Sequence, residues 1–159
     1  MTFALPPIVI SVQSDDFDVS VELKALTRHN SAIGGVAAFI GLVRDINEGK
    51  GISTLSLEHY PGMTEKSLQQ IAEQACGRWN LQGVRIIHRI GDLAPTDQIV
   101  LVLTASMHRH AAFESAEFIM DFLKSRAPFW KKEQTSEGAH WVDARESDAI
   151  ALARWGSDE

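Results

Sequence analysis

The spacing of apolar residues predicts five strands in the first two thirds of the chain. A continuous apolar run that includes glycines, IGGVAAFIGLV at 33–43, is typical of a buried strand. At 54–60, apolar and polar residues alternate with the period of two that a half-buried strand shows. The other three predicted strands are short β-branched or apolar runs, and a turn-rich connection, GDLAPTD, joins the last two: 8–12, 84–90 and 99–105.

Apolar residues at helical spacing predict two long helices. The first covers 64–79 and follows a Pro-Gly turn at 61–62. The second covers 109–125 and ends before Pro128, because a proline ring cannot continue a helix and favours an extended conformation in the residue before it. The residues predicted for the core face of the second helix are Ala112, Phe113, Ala116, Ile119, Met120 and Leu123.

Weaker patterns complete the predicted fold. They indicate a short helix at 17–28, a hairpin that pairs 129–135 with 140–142, and a terminal helix at 146–155. The imperfect alternation of helices and strands favours an α+β fold, a mixed α/β sandwich with a mostly antiparallel sheet, two long packed helices and a small C-terminal β-hairpin region. Because the chain has no repeat, low-complexity tract or clear linker, residues 1–159 are expected to form a single domain.

The composition limits the class of function. A formal net charge of -6 argues against a general nucleic-acid-binding protein, which would carry a basic surface. No apolar run approaches the roughly 18 residues of a membrane span, and the N-terminal segment lacks the cationic start of a secretory signal. A single cysteine cannot form an internal disulfide, so the expected location is the cytoplasm.

One segment of this acidic chain is strongly basic. LKSRAPFWKKE at 123–133 contains half of the lysines of the protein, next to a phenylalanine and a tryptophan. Lys124 and Arg126 fall at the C-terminal end of the second long helix, where cations interact favourably with the helix dipole. That position does not explain Lys131 and Lys132, which follow the proline that ends the helix.

Strand geometry separates the side chains that follow the proline. If 129–134 is extended, alternate side chains share a face. Lys131 then lies on the face of Phe129, whereas Lys132 lies on the opposite face with Trp130. Two interpretations stay open: an edge strand that lysines protect from pairing, or a site for an anion with a flat ring system, in which cations bind a phosphate and an aromatic side chain contacts the ring.

A second candidate anion site lies at TASMHRHAAF, where a strand ends and the second long helix begins. Backbone N–H groups at a helix start bind anions, and Arg109 can add a bidentate phosphate contact. In the alternative interpretation Ser106 caps the helix and His108 belongs to an ordinary polar junction. Arg44 is a third candidate, because it ends the buried strand just before the polar segment 45–51, which we interpret as a mobile loop.

Two other chemistries have weak support in the sequence. His108 and His110 lack cysteine or carboxylate partners at zinc-ligand spacing, so no metal is predicted. Cys76 falls in the middle of the first long helix beside its apolar stripe, which favours an inert thiol over a sulfur-carrying nucleophile. The sequence contains no P-loop, nucleophile elbow or dinucleotide-binding motif.

Several long motifs resemble those of one known family. They are LEHYPGMTEKSL at 57–68, IHRIGDLAPTDQIV at 87–100, HR at 108–109, FIMDFLKSRAPFWKKE at 118–133 and WVDARESD at 141–148. With these motifs in this order, the chain from about Gly34 to Trp155 resembles the large, catalytic subunit of molybdopterin synthase.

The resemblance implies an activity, a substrate and a partner. This family converts cyclic pyranopterin monophosphate into molybdopterin by installing two dithiolene sulfurs. The sulfur arrives as a thiocarboxylate on the C-terminal Gly-Gly of a small ubiquitin-like subunit. The family also implies a homodimer of large subunits within a heterotetramer that carries a small subunit on each end. We expect no metal and no organic cofactor.

The resemblance also implies roles for individual residues. Lys124 and Lys131 match the two lysines of the reaction centre. The family often has GKVR where this chain has GLVR at 41–44, which leaves a side-chain contact at Leu42 open. Arg145 matches an arginine that is implied to reach the site across the dimer interface. The other residues that match substrate-binding positions are Arg44, His108, Arg109, Lys132 and Glu133.

Two rival functions stay open from the residues alone. A non-catalytic module that binds a phosphorylated ligand or a partner's tail would keep the cations and aromatic residues but would need no proton transfer. A persulfide sulfurtransferase would depend on Cys76 as its nucleophile.

Overall fold

The computed structural model of the protein describes residues 4–44, 54–135, 138–142 and 146–156. The structure describes side chains up to residue 131 and again from residue 149. Between these positions it describes the backbone alone. Two parts of the sequence-based prediction, the loop at 45–51 and Arg145, lie outside the described residues.

Strands and helices occur within two residues of most predicted boundaries, although β4 begins three residues before its predicted start. In chain order they are β1 (Ile8–Gln13), α1 (Val19–Thr27), β2 (Gly35–Leu42), β3 (Thr54–His59), α2 (Met63–Arg78), β4 (Leu81–Arg89), β5 (Gly91–Leu93), β6 (Gln98–Ser106), α3 (Arg109–Arg126), β7 (Phe129–Thr135), β8 (Gly138–Val142) and α4 (Glu146–Ala153). None of the described helices is long and apolar enough to cross a membrane.

The strands form two four-stranded sheets. Sheet A has the order β1-β4-β6-β2, and sheet B has the order β5-β3-β7-β8. Strands β1 and β4 are parallel, and the other strand pairs of the described chain are antiparallel. The predicted α+β class with a mostly antiparallel arrangement is confirmed, and the pairing of β7 with β8 confirms the C-terminal hairpin.

Helices cover sheet A on both faces. Helices α2 and α3 pack against one face, where Ile86 and Val102 of the central strands join the apolar stripes of the two helices. Helix α1 covers the other face, where Ile87 and Leu101 pack with Phe17. Because successive residues of a strand point to opposite faces, burial of both faces explains why β6 is almost continuously apolar.

The prediction that 33–43 is a buried strand is wrong in part. The segment does form a strand, but β2 lies at an edge of sheet A. Phe39, Ile40 and Leu42 are exposed by 42%, 37% and 50%. Ala37 is the one buried residue of the strand, so burial within the described chain accounts for its apolar character only in part.

Two further details differ from the prediction. Phe113 was assigned to the core face of α3, but it is 66% exposed. It is offset by about 100° from the buried Ala112, which places it just beyond the buried arc of the helix. The connection at 91–97 contains the short strand β5, which pairs with β3. Three residues among turn-forming neighbours are too few to show a strand period.

Candidate active site

Lys124 and Lys131 lie on either side of a sharp change in chain direction. Lys124 is in the last turn of α3, and Lys131 is the third residue of β7. Between them, Ala127 is already extended with ψ 135°, as expected for a residue before proline. Both lysines are exposed. The segment from Ala127 to Phe129, called here the hinge, returns the chain from the helix into sheet B.

A buried histidine lies beside the two lysines. His88, in β4, is 5% exposed, and its Nδ1 atom lies 2.8 Å from the carbonyl oxygen of Arg89. A carbonyl oxygen only accepts hydrogen bonds, so Nδ1 carries the proton and donates it. The imidazole is stacked on the ring of Phe129, with 3.8 Å between centroids and 17° between planes.

The lysines act electrostatically on this histidine. Burial is the largest cause that lowers the pKa of His88 to about 4, and electrostatic interactions with Lys131, Lys124 and His59 contribute in the same direction, against the opposing effect of the Arg89 carbonyl. Two ammonium groups that perturb the same enclosed imidazole must both lie close to it, because interactions between charges decay with distance. Lys124 and Lys131 therefore both lie near the ring of His88.

The alternation along β7 is as predicted. Phe129 faces His88 in the interior, and the alternation of a strand puts Lys131 on the same face. Trp130 packs edge-on against Tyr60 on the other face, with ring centroids 4.6 Å apart. Its ring therefore does not line the side of the strand that carries Lys131. Phe129 is the aromatic residue on the lysine face.

The position of β7 in its sheet contradicts the edge-strand interpretation. Strand β7 pairs with β3 on one side and with β8 on the other, so it is an interior strand. The backbones of Lys132 and Glu133 lie within it, opposite Ser56 and Leu55 of β3. Lysines on an interior strand are not needed to block further pairing.

His108 and Arg109 lie at the opposite end of α3 and are exposed. His108 occupies the N-cap position in an extended conformation, without a side-chain cap. The alternative in which Ser106 caps the helix is not observed, because His108 is the N-cap residue. The Ser106 hydroxyl donates to the Asn80 carbonyl at 3.1 Å and accepts from the backbone N–H of His108 at 3.5 Å. Fifteen residues separate Arg109 from Lys124 on one helix, which corresponds to about 22 Å. One protomer therefore holds two separate clusters.

Arg44 lies at the lysine end of sheet A. It follows β2 directly, and the neighbouring Val43 is held by backbone hydrogen bonds to Asp97 and Thr96. In the register of the sheet, Leu42 is opposite Gln98 of β6, and His88 is opposite Val100. Arg44 and His88 are thus at the same end of sheet A, whereas Arg109 follows its other end.

Metal binding and nucleophilic thiol chemistry are the two alternatives that concern His108, His110 and Cys76. Among the described residues, no three His, Cys, Asp or Glu side chains are grouped to hold a metal ion. His110 instead contacts Glu114 at 2.6 Å on the surface of α3. Burial raises the pKa of the half-buried Cys76 thiol to about 11, with a smaller contribution from Glu73. The thiol is therefore protonated at neutral pH and a poor nucleophile.

Comparison with known proteins decides the family. A family model described as MoaE protein matches residues 12–126. The chain belongs to the MoaE protein family. The molybdopterin synthase catalytic subunit of Ralstonia nicotianae is 60% identical over 147 residues, which are 92% of this chain and 84% of that protein.

Solved structures agree with the MoaE assignment. The molybdopterin biosynthesis MoaE protein from Burkholderia ambifaria MC40-6 has a TM-score of 0.82 at 52% identity, over 95% of this chain and 99% of that chain. A chain of the complex of subunits 1 and 2 of the molybdopterin-converting factor from Helicobacter pylori 26695 has a TM-score of 0.68 at 22% identity, over 87% and 91%. At that identity the likeness shows the fold alone.

Sequence reasoning missed two residues that lie beside the candidate site. His88 follows the apolar residues Ile86 and Ile87 in β4, a pattern that most often marks a core residue. Thr64 opens α2 and is fully buried, and its hydroxyl reaches across the chain to Pro128. The polar character of both positions was visible in the sequence, but their proximity to the lysines was not.

Proposed function

We propose that this protein is the catalytic subunit of a molybdopterin synthase. It takes sulfur from the C-terminal thiocarboxylate of a small ubiquitin-like subunit and transfers it to cyclic pyranopterin monophosphate. The observation that carries this proposal is that Lys124 and Lys131 flank one short turn whose Phe129 is stacked on the buried ring of His88, in a chain of the MoaE family. We place the reaction in the cytoplasm, where the single cysteine stays reduced.

The two lysines suit this chemistry in charge and position. The thiocarboxylate sulfur forms a C–S bond to the side chain of the pterin while a C–O bond of that side chain breaks, which gives a thioester between carrier and substrate. Water then hydrolyses the thioester, so that the carrier leaves with an ordinary carboxylate and the sulfur stays on the pterin as a thiol. A second carrier delivers the second sulfur. Lys124 and Lys131 stabilise the oxyanions of these steps and exchange protons, and each such effect contributes on the order of a hundredfold.

The phosphate of the substrate needs cationic partners besides the reacting lysines. Arg44 is at the same end of sheet A and is exposed, as a phosphate-binding arginine requires. Lys132 and Glu133 continue the binding segment along β7. His108 and Arg109 offer a further anion site at the start of α3, but within one protomer they lie about 22 Å from Lys124.

In a dimer, Arg109 of one protomer can lie close to Lys124 of the other. Strand β2 pairs with β6 on one side, no described strand covers its other side, and its exposed apolar residues suit a contact between copies. In a two-fold symmetric, antiparallel contact of two β2 strands, the Leu42 end of one protomer lies beside the Gly35 end of the other. Gly35 packs against the backbone of Arg109, whereas Arg44 follows Leu42.

The complete site is therefore shared between two protomers. One protomer contributes Arg44, Lys124 and Lys131, and the other contributes His108 and Arg109. The resemblance to the family implies that Arg145 reaches the site across the same interface. A homodimer then carries two sites, and one small subunit on each end gives a heterotetramer.

Reconstitution tests the proposed function. Purified protein is mixed with the thiocarboxylated small subunit and cyclic pyranopterin monophosphate, and the pterin product is analysed by mass spectrometry. We expect two sulfur atoms in each product molecule and no product with a small subunit that ends in an ordinary carboxylate. A stable complex without a dithiolene would instead identify a binding module.

A further inference from the structure

The hinge between Lys124 and Lys131 determines how the two lysines face each other. Lys124 moves with α3, which belongs to the layer over sheet A, whereas Lys131 moves with β7 of sheet B. The chain between them is short, and the hinge contains one internal backbone hydrogen bond, from the Phe129 N–H to the Ala127 carbonyl at 2.9 Å. A second bond, from the Ala127 N–H to the Leu123 carbonyl at 3.3 Å, joins the hinge to the end of α3. Small rotations in this segment would change the separation of the two ammonium groups.

Thr64, a residue of α2, forms a hydrogen bond to the hinge. Its side chain is 0% exposed, and its hydroxyl donates a hydrogen bond to the carbonyl oxygen of Pro128 at 3.0 Å. The hydroxyl oxygen of Thr64 also accepts a hydrogen bond from the backbone N–H of Tyr60, at 3.0 Å. One hydroxyl group thus connects the start of α2 and the end of β3 to the middle of the hinge. Both hydrogen bonds are partly buried, so the loss of the hydroxyl removes the partner of the Tyr60 N–H and of the Pro128 carbonyl where water has limited access.

His88 holds the next residue of the hinge. Its ring lies flat on Phe129, and the hydrogen bond from Nδ1 to the carbonyl of Arg89 fixes the ring orientation. His88 belongs to the central strand β4 of sheet A, so the stack ties the first residue of β7 to the rigid sheet. The two contacts come from different elements and act on adjacent residues, Pro128 and Phe129.

We propose that Thr64 and His88 are positioning residues, which fix Pro128 and Phe129 so that Lys124 and Lys131 converge on one substrate. The inference rests on the proposed function, because it assigns the two residues to the geometry of that reaction. Neither residue acts on the substrate itself. Catalysis is sensitive to such geometry, and a displacement of about 1 Å can lower a rate by roughly a hundredfold.

A pair of substitutions at Thr64 separates its hydroxyl from its volume. Thr64→Val keeps the shape and removes both hydrogen bonds, whereas Thr64→Ser keeps the hydroxyl. We expect Thr64→Val to lower kcat by about tenfold or more with KM changed by less than about threefold, and Thr64→Ser to stay within about threefold of the wild-type kcat. All rates are measured at a temperature where circular dichroism shows each variant to be folded.

Thr104 supplies the matched control for lost stability. It is also 0% exposed, and its hydroxyl donates to the carbonyl of Ala112 at 2.7 Å, far from the hinge along α3. Thr104→Val removes a comparable buried hydrogen bond, so its melting temperature falls as that of Thr64→Val does. Its kcat should remain within about twofold of the wild type. Equal losses of kcat in both valine variants would overturn the positioning role of Thr64.

A second pair tests the ring of His88 independently. His88→Phe keeps a flat ring against Phe129, and His88→Ala removes it. We expect His88→Phe to retain most of the wild-type kcat and His88→Ala to lose about tenfold or more. Wild-type kcat in His88→Ala, or equal losses in both variants, contradicts the proposal. This pair decides the matter if Thr64→Val does not fold.

A structural measurement keeps the inference distinct from the proposed function. Crystal structures of the wild type and of Thr64→Val give the separation of Lys124 Nζ and Lys131 Nζ without any substrate. The proposal predicts a changed separation in the variant, and an unchanged separation overturns it. Absence of any dithiolene product from the wild-type protein would refute the proposed function but would leave this structural result valid.

Discussion

The ring of His88 is stacked on the ring of Phe129, 3.8 Å away, and this contact keeps an ionisable group enclosed between the two sheets. Burial lowers the pKa of His88 to about 4 from the ordinary value of 6.5. The groups whose charges act on it are Lys131, Lys124 and His59. A neutral imidazole at this position adds no further positive charge to the lysine site at neutral pH.

Stability should therefore fall in acid. As the pH decreases through about 6.5 the unfolded chain binds a proton at His88, whereas the folded protein does not bind it until about pH 4, so acid favours unfolding. The neutral state of His88 therefore costs no stability above pH 6.5. Between pH 6.5 and pH 4 the free energy of unfolding falls by a total on the order of 3 kcal/mol. Urea unfolding of wild type and His88→Phe at several pH values measures it. An identical pH dependence in both proteins would contradict the assignment.

Cys76 should be dispensable for sulfur transfer. Its thiol is half-buried and protonated at neutral pH, since burial raises the pKa to about 11. We expect Cys76→Ser to convert precursor at a rate within about twofold of the wild type, because the sulfur is carried by the small subunit. A persulfide mechanism requires the opposite result, complete loss of activity together with a wild-type melting temperature.

The exposed face of β2 should hold two copies of the chain together. Phe39→Glu places a charge in the apolar contact, so the mass from light scattering should fall from twice the chain mass of 17.6 kDa to that of the monomer. Val21→Glu is the control, because Val21 is 59% exposed on α1, away from β2. A dimeric Phe39→Glu would show that the copies meet elsewhere.

A mixing experiment tests whether two protomers share each site. Lys124→Ala and Arg109→Ala are each expected to be inactive, but their mixed dimer contains one site with both wild-type residues. After random exchange, mixed dimers are half of the population and have one intact site of two, so about a quarter of wild-type activity returns. No recovery of activity, with subunit exchange verified by mass spectrometry, would place both residues in the site of a single protomer.

Local pattern predicted most elements of this fold but not their neighbours. The period of apolar residues gave the bounds of α2 and α3 closely, and the alternation along β7 correctly separated Lys131 from Trp130. The same pattern could not show that β7 is an interior strand, because its partners β3 and β8 are determined by tertiary packing. The apolar run of β2 indicated burial, and within the described chain it is an exposed edge.

The candidate site was predictable only in part for the same reason. The contact of Thr64 with Pro128 spans 64 positions of sequence, and no local rule connects them. By contrast, the predicted length of α3 was enough to show that Arg109 and Lys124 belong to two separate clusters. Fifteen helical residues between Arg109 and Lys124 correspond to about 22 Å, so both residues cannot contact one small substrate within a protomer.

The most direct test of the account is the rate of sulfur transfer in lysine variants. Single-turnover conversion of cyclic pyranopterin monophosphate is measured for wild type, Lys124→Ala and Lys131→Ala, with the exposed Lys24→Ala on α1 as the control. We predict that each site variant loses product formation by at least about a hundredfold while it still binds the small subunit, and that Lys24→Ala is unaffected. A wild-type rate in Lys124→Ala or Lys131→Ala would contradict a reaction centre built from these two side chains.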